Sequence, residues 1–196
     1  MRKLCRKNHR EGHEFHSCRF RLREKTRLQP LRSLLKPGRI ISPPGTYFLT
    51  FSTWHHRQLF VVETYARLFL KTIYRYRREG RYLLHAFVLM PDHIHLLLTP
   101  AVDVTVERAV QLIKGGYSHA LGTLVERNSE VWQRGFTDHR IRDAQDFVHH
   151  QNYIHQNPVV GHLVLNAPEY RYCSAFPGFK LDPGPQRLKP ESWGTL

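Results

Sequence analysis

The stretch LLHAFVLMPDHIHLLLT, residues 83–99, decides the fold, because it holds two apolar runs separated by Pro91 and Asp92. Each run has the length and aliphatic content of a buried strand, and a Pro-Asp pair is typical of a tight turn. The sequence therefore predicts a hairpin with strands at Leu83–Met90 and His93–Thr99.

Apolar periodicity on either side of this hairpin predicts an alternating series of strands and helices. The further predicted elements are strands at Tyr47–Trp54 and Val131–Ile141 and helices at Thr64–Arg78, Thr105–Glu126 and Asp143–Asn157. The last helix is predicted to begin at a cap near Asp143 and to stop before Pro158. The order β-α-β-β-α-β-α predicts an α+β fold with a ferredoxin-like β-α-β-β-α-β core and an added C-terminal helix.

The chain is strongly basic, and most of the excess charge lies at its start. Thirty Lys and Arg against sixteen Asp and Glu give a net charge of +14, and the first 46 residues hold thirteen Lys or Arg and three Glu. Such an excess indicates a polyanionic partner, of which nucleic acid is the usual one. We predict a flexible basic arm at residues 1–45, a catalytic domain at 46–172 and a Pro- and Gly-rich tail at 173–196.

Cysteine usage and hydropathy exclude other classes of protein. The three cysteines, Cys5, Cys18 and Cys173, form no CxxC pair, which is typical of a reducing compartment without a disulfide framework. No apolar run reaches the roughly 18 residues that a membrane helix needs, and no apolar segment of a signal peptide follows the basic start. We therefore expect a cytoplasmic, nucleoid-associated protein with no membrane partner.

His93 and His95 lie in one predicted strand with Ile94 between them. Because side chains alternate along a strand, the two imidazoles project to one face while Ile94 points to the other. Two neighbouring imidazoles can chelate a divalent cation. The alternative is a pair of half-buried histidines that pack on the sheet, and the spacing alone does not separate these interpretations.

The last predicted helix carries Tyr153 and Asn157 on one face, together with His149, because positions four apart are offset by only about 40°. A tyrosine hydroxyl, with an ordinary pKa of about 10, attacks a phosphate when a cation polarises the phosphate and a nearby group accepts the proton. We predict Tyr153 as the nucleophile, Asn157 as a third metal ligand and His149 as a proton relay. The alternative is that Tyr153 only packs the helix onto the sheet.

Several separate blocks of sequence resemble the REP-associated tyrosine transposases, which belong to the single-tyrosine HUH transposase superfamily. The main blocks are YFLTFSTWH from Tyr47, AFVLMPDHIHLLLTP from Ala86 and YIHQNPV from Tyr153, and they occur in the family's order. The segments IKGGY from Ile113 and VWQRGF from Val131 are similar as well. The resemblance covers about residues 44–172, and Val160 and Thr137 differ from the residue types that are frequent there.

The resemblance implies an activity and assigns the site. His93 and His95 correspond to the HUH metal pair, Tyr153 to the nucleophile and Asn157 to the residue that completes the metal site. In such enzymes the ion is Mg²⁺ or Mn²⁺, the tyrosine joins the 5′ phosphate at a cut, and the free 3′-OH attacks another phosphotyrosine. The implied partner is single-stranded DNA that forms a palindromic hairpin, and the implied assembly is a monomer or a homodimer.

Basic residues near the second helix and the fourth strand are candidate DNA contacts, namely Lys114, Arg134, Arg140 and Arg142. The alternative for each is a solvated surface charge. Two other functions stay open: a related protein that binds DNA with little or no turnover, and an RNA-binding ferredoxin-like module. The aliphatic character of Leu83–Thr99 disfavours the RNA-binding module, which needs exposed aromatic residues on its central strands.

Overall fold

The computed structural model of the chain describes residues 43–125 and 130–185. The predicted basic arm lies outside the described residues except for its last three positions, and so does the end of the predicted tail beyond residue 185. In the part of the chain that is described, no helix is both long and apolar enough to cross a lipid bilayer.

A four-stranded antiparallel sheet forms the centre of the fold. Its strands are β1 (Tyr47–Ser52), β2 (Tyr82–Leu89), β3 (His93–Pro100) and β4 (Thr137–Arg140). Their spatial order is β2-β3-β1-β4, and every neighbouring pair is antiparallel. This is the order of the split β-α-β plan, so the predicted ferredoxin-like core is confirmed.

Three helices cover the two faces of this sheet, and they are α1 (Glu63–Arg78), α2 (Val106–Val125) and α3 (Ala144–Val160). The first two helices pack with Leu96 of β3 in the larger core cluster, whereas α3 packs with Leu97 in a smaller cluster. Because Leu96 and Leu97 are neighbours in one strand, the two clusters lie on opposite faces. The same alternation directs His93 and His95 toward the face that α3 covers.

The fourth strand is shorter than the predicted span Val131–Ile141, and the prediction was wrong for the first six positions. The ring of Trp132 packs against the larger core, and its Nε1–H donates to the Lys114 carbonyl at 3.0 Å. The Lys114 ammonium donates to the backbone carbonyls of Gln133 and Gly135 at 2.7 and 2.8 Å. Since a side chain satisfies these carbonyls, the segment before β4 forms a loop instead of a strand ladder.

The last helix begins as predicted, because the Asp143 carboxylate accepts a hydrogen bond at 2.8 Å from an N–H of the first turn. It continues past the predicted stop, and Pro158 lies inside its last turn. Proline has no N–H for the carbonyl four residues earlier, which belongs to Ile154. The Sγ atom of Cys173 lies 3.9 Å from that carbonyl and partly replaces the missing donor, so the helix continues to its end at Val160.

Residues 173–182 pack along the outer edge of β2, although the sequence predicts a tail from residue 173. Ser174 donates its N–H to the Phe87 carbonyl at 2.8 Å, and the Asp182 carboxylate accepts two hydrogen bonds from the Arg77 guanidinium at 2.6 and 2.7 Å. The Ser174 contact pairs a backbone group that an exposed edge strand would leave unpaired, and the Leu84 N–H likewise donates to the Asp182 carboxylate at 2.8 Å. A Pro- and Gly-rich composition does not reveal such pairing, because the contacts join parts of the chain far apart in sequence.

The Arg77–Asp182 pair makes the packing of residues 173–182 along β2 sensitive to pH. Hydrogen bonds from Arg77, opposed by partial burial, lower the pKa of Asp182 below its ordinary value of 3.8. A lowered pKa in the folded state stabilises the fold above about pH 4, and this stabilisation is lost as the pH falls further. We expect Asp182→Asn to lower the free energy of unfolding by on the order of 2 kcal/mol near neutral pH and by progressively less as the pH falls below about 4, as measured by urea titration.

Glu79→Gln is the matched control, since Glu79 forms an exposed ion pair with Arg75 at 3.8 Å. Exposed pairs of this kind contribute less than about 1 kcal/mol. Equal losses of stability from the two substitutions, or an Asp182→Asn effect that does not change with pH, would contradict the role assigned to Asp182.

Candidate active site

Strands β3 and β1 fix the two histidines that are predicted to bind a metal. The Nδ1 atom of His93 is 2.6 Å from Oδ1 of Asp92, and the Nδ1 atom of His95 is 2.7 Å from the Thr50 hydroxyl. The centroids of the two rings are 5.0 Å apart. Neither Nε2 atom makes a hydrogen bond within the described part of the chain, so with its proton on Nδ1 each ring presents an Nε2 lone pair.

Burial keeps the His95 ring uncharged. Burial in the sheet face, with a smaller electrostatic contribution from the neighbouring His93, lowers the pKa of His95 to about 3. An imidazole with this pKa is neutral over the physiological range, and the neutral form is the one that binds a metal. His95 therefore needs to lose no proton in order to act as a ligand.

Asp92 joins His93 to a segment with an unusual backbone conformation. Its second oxygen, Oδ2, is 2.9 Å from Nδ1 of His56. Burial opposes ionisation of Asp92, but hydrogen bonds from His93 and His56 bring its pKa below the ordinary value. His55 and His56 have φ angles of 52° and 51°, and such left-handed conformations cost about 1 kcal/mol or more outside glycine. The fold thus holds a strained turn against the carboxylate that orients His93.

Helix α3 brings Tyr153 to the same face of the sheet. The centroid of its ring is 5.3 Å from that of His95 and 5.7 Å from that of Phe48, and both contacts are edge-to-face. Tyr153 is 48% exposed, so its ring packs against β1 and β3 while part of it stays open to solvent. The three side chains predicted to form the centre of the site, His93, His95 and Tyr153, are therefore neighbours.

Phe48 and His150 complete this surface, and the sequence interpretation missed both. The Phe48 ring stacks on His95 with centroids 5.3 Å apart and lies 4.8 Å from the His150 ring. Alternation along β1 puts Phe48 on the same face as Thr50, which is a signal that the sequence contains. It was not usable from the sequence alone, because an aromatic residue in an apolar strand is equally typical of a core position.

Asn157 and His149 share α3 with Tyr153 but have different surroundings. Asn157 is half-buried one turn after Tyr153, and its carbonyl accepts the N–H of Gly161 at 2.8 Å. His149 is exposed, and its ring lies 5.4 Å from the ring of His150. At this end of α3 the residue that contacts β1 is His150, while His149 faces solvent.

Three of the four candidate DNA-binding residues are already engaged within the protein. Lys114 is half-buried with its ammonium on two loop carbonyls, and burial lowers its pKa. Arg140 donates to the Pro44 carbonyl at 2.9 Å, and Arg142 donates to the Asp146 carboxylate at 3.0 Å. Lys114 is thus placed to hold the loop before β4 in shape. The two arginines are exposed residues whose guanidinium groups are hydrogen-bonded within the protein.

Arg134 differs from the other three because it lines a surface cavity at β1, the strand that pairs with β3. It is exposed, and it lines a shallow cavity of about 260 Å³ together with Thr50 and Ser52. Ser52 is in register with His93 across the β1–β3 ladder, and Thr50 is in register with His95. Among the four, Arg134 is the best placed to contact a nucleic acid that reaches the site.

A second cluster lies at the junction of β4 and α3. The Nε2 atom of His139 is 2.9 Å from Oδ2 of Asp146, and the Nδ1 atom of His150 is 3.1 Å from Oδ1. Burial opposes ionisation of Asp146, but hydrogen bonds from Arg142 and His139 bring its pKa well below the ordinary value. Within residues 43–125 and 130–185, this is the one group of three His, Cys, Asp or Glu side chains whose ligand atoms all lie within 4.8 Å.

Comparison with known proteins relates this arrangement to one family. Residues 45–157 match the family described as "Transposase IS200 like". The chain is 31% identical over 116 residues to the REP-associated tyrosine transposase of Escherichia coli (strain K12), covering 59% of this chain and 67% of that protein. A relative from Haemophilus influenzae (strain ATCC 51907 / DSM 11121 / KW20 / Rd) is 31% identical over 119 residues, covering 56% of this chain and 65% of the relative. The chain thus spans about two thirds of the length of each.

A solved structure agrees in fold. It is the structure of a REP-associated tyrosine transposase bound to a REP hairpin, and it matches with a TM-score of 0.60 and 27% identity over 69% of this chain and 79% of that chain. The family match runs from the start of β1 to Asn157 in α3, which is more than half of the chain. This chain therefore belongs to the IS200-like transposase family, among the REP-associated tyrosine transposases.

Proposed function

We propose that the protein is a metal-dependent enzyme that cuts single-stranded DNA and transfers the cut strand through a 5′-phosphotyrosine intermediate. Its substrate would be DNA that folds into palindromic hairpins. One observation carries the proposal: the Tyr153 ring lies 5.3 Å from His95, on the face where His93 and His95 present their Nε2 atoms. The hairpin bound in the related solved structure supports the choice of substrate.

His93, His95 and Asn157 would hold the cation, which we expect to be Mg²⁺ or Mn²⁺. The imidazoles fit this role because their Nδ1 atoms are already bound to Asp92 and Thr50, which fixes the ring orientation. Imidazole ligands suit Mn²⁺ better than Mg²⁺. When bound, the cation polarises the scissile phosphate and stabilises its developing charge.

The nucleophile is the Tyr153 hydroxyl. Its oxygen forms a bond to phosphorus as the bond between phosphorus and O3′ breaks, so the 5′ phosphate stays on the protein and a 3′-OH is released. The phenolic proton leaves through His149, which is exposed one turn before Tyr153 in α3, and the departing O3′ takes up a proton from solvent. The exposure of Tyr153 suits this chemistry, because a DNA backbone must reach the hydroxyl.

Strand transfer is the reverse of this step with a different 3′-OH. The incoming 3′ oxygen attacks the phosphotyrosine, a phosphodiester forms again and the Tyr153 hydroxyl is regenerated. One phosphate ester replaces another at each stage, so no nucleotide cofactor is needed. The net charge of +14 favours binding of the DNA backbone, and Arg134 is the residue we expect to meet it beside the metal pair.

A labelled single-stranded oligonucleotide with a hairpin tests the proposal directly. We expect incubation with Mg²⁺ or Mn²⁺ to give a protein–DNA adduct that survives denaturation, together with a DNA fragment that ends in a 3′-OH. Binding of the hairpin without any adduct in either ion would support the alternative, a DNA-binding relative with little or no turnover.

Asp92→Asn tests the metal site without removing a ligand. Asparagine keeps the shape of the side chain but removes the charge of the group that orients His93, so we expect the affinity for Mn²⁺ to fall roughly 10–100-fold. Titration calorimetry with Mn²⁺ measures this change. Asp103→Asn is the matched control, because Asp103 is exposed in the turn that follows β3. Equal Mn²⁺ affinities of the parent and Asp92→Asn would contradict the assignment.

A further inference from the structure

We infer that His139, Asp146 and His150 form a second cation site with the ligands of a zinc site, which ties the start of α3 to β4. This site is separate from the metal pair at His93 and His95, and it does not depend on the proposed DNA chemistry.

Two elements bring the three side chains together, so that their ligand atoms lie within 4.8 Å of one another. His139 lies on β4 in register with Phe48 of β1, and Asp146 and His150 are four residues apart on α3. The two imidazoles are stacked, with centroids 4.5 Å apart and an angle of 19° between the rings, and each directs a nitrogen at one oxygen of the same carboxylate. The nitrogen–oxygen distances of 2.9 and 3.1 Å are close to the separation of two ligand atoms that share one small ion.

The chemistry of these ligands selects the class of ion. Two imidazole nitrogens and one carboxylate oxygen form a set that suits Zn²⁺, whereas Mg²⁺ and Ca²⁺ prefer oxygen ligands. Each histidine can bind by placing its proton on its other ring nitrogen, which is Nδ1 in His139 and Nε2 in His150. In His150 the ion would then replace the hydrogen bond of Nδ1 to the Asp146 backbone carbonyl, which is 2.8 Å long. Three protein ligands leave the fourth tetrahedral position for a water molecule.

Arg142 is an internal competitor for this site. Its Nε atom donates to Oδ2 of Asp146 at 3.0 Å, so its guanidinium neutralises the carboxylate that the ion would bind. The Arg142 side chain is 74% exposed and can turn into solvent without opening a buried cavity. Removal of the guanidinium should therefore strengthen cation binding, whereas a cluster held only by hydrogen bonds would gain no affinity for metal.

Phe48 lies between the proposed catalytic metal pair and the second cluster. Its ring contacts His95 on one side and His150 on the other, with centroids 5.3 and 4.8 Å away. His150 also lies three residues before Tyr153 in α3. A cation bound to His150 would therefore fix the turn of helix that precedes the proposed nucleophile.

Cobalt(II) is the probe for this site, because its visible absorption reports nitrogen and oxygen ligation and Zn²⁺ displaces it. The full chain is used with His93→Asn and His95→Asn, which removes the proposed catalytic pair. We expect Co²⁺ binding to persist in this background, to weaken by on the order of 100-fold when His139→Asn or Asp146→Asn is added, and to become tighter when Arg142→Gln is added. His119→Asn, an exposed change on α2, is the control and should have no effect.

Three results would overturn the inference. They are the absence of Co²⁺ binding in the background variant, binding that survives both His139→Asn and Asp146→Asn, and an affinity that Arg142→Gln leaves unchanged or weakens. Co²⁺ bound by other histidines or cysteines of the chain would survive both substitutions, and it would therefore also contradict the inference. His139 is partly exposed on β4, so His139→Asn keeps the test valid if Asp146→Asn lowers stability. A parent protein that binds Co²⁺ here and forms no DNA adduct would count against the proposed function alone.

Discussion

Tyr153→Phe is expected to abolish the covalent protein–DNA adduct while hairpin binding persists. The substitution removes one oxygen atom, and we expect adduct formation to fall by on the order of 10⁴-fold or more, as when other enzymes lose their nucleophile. Phenylalanine keeps the ring that packs edge-to-face on His95 and Phe48. Since Tyr153 is half-exposed and its hydroxyl has no hydrogen-bond partner among the described residues, the variant should remain folded.

Denaturing gel electrophoresis with labelled hairpin DNA measures the adduct, and a mobility shift under native conditions measures binding. Tyr65→Phe is the matched control, because Tyr65 is half-buried on α1, which covers the opposite face of the sheet. The control should form the adduct at the parent rate. An adduct of undiminished yield in Tyr153→Phe would place the nucleophile elsewhere.

His93→Asn and His95→Asn are each expected to slow adduct formation by on the order of 10³-fold, because a cation supplies several kcal/mol of charge stabilisation to phosphate chemistry. Asparagine keeps a polar group at each position, which limits the loss of stability at the buried His95. Each single variant retains one imidazole, so a high Mn²⁺ concentration should restore part of its activity. The double variant should show no such recovery.

Initial rates of adduct formation over a Mn²⁺ titration check this expectation. His119→Asn, on the exposed surface of α2, provides the control for loss of a histidine. A single variant that cleaves at the parent rate under limiting Mn²⁺ would show that these imidazoles do not bind the catalytic ion.

The sheet offers little support for an RNA-binding module. Modules of that kind stack bases on aromatic residues of an open sheet face, whereas here helices α1 and α2 pack on one face and α3 packs on the other. Phe48, an aromatic residue of a central strand, is occupied by its contacts with His95, His150 and Tyr153. The family to which the chain belongs likewise favours DNA as the partner.

Local sequence patterns were sufficient to predict most elements of the core and to place His93 and His95 on one face of a strand. Strand alternation and helix spacing depend on neighbours in sequence, so both can be recognised without knowledge of the fold. The loop before β4 could not be recognised, because the carbonyls of Gln133 and Gly135 pair with Lys114, a residue of another element. Residues 173–182 were missed for the same reason, since their partners lie on β2 and α1.

The sequence by itself determined the order of the elements, the common face of the two imidazoles and the candidate nucleophile, because each follows from a short-range period or motif. Only the tertiary structure decided which groups surround them. Thr50 and Asp92 orient the imidazoles, Phe48 lies between the two histidine clusters, and His139 meets Asp146 across β4 and α3. These contacts depend on strand register and on the docking of α3, which are set by packing between distant segments and leave no local period in the sequence.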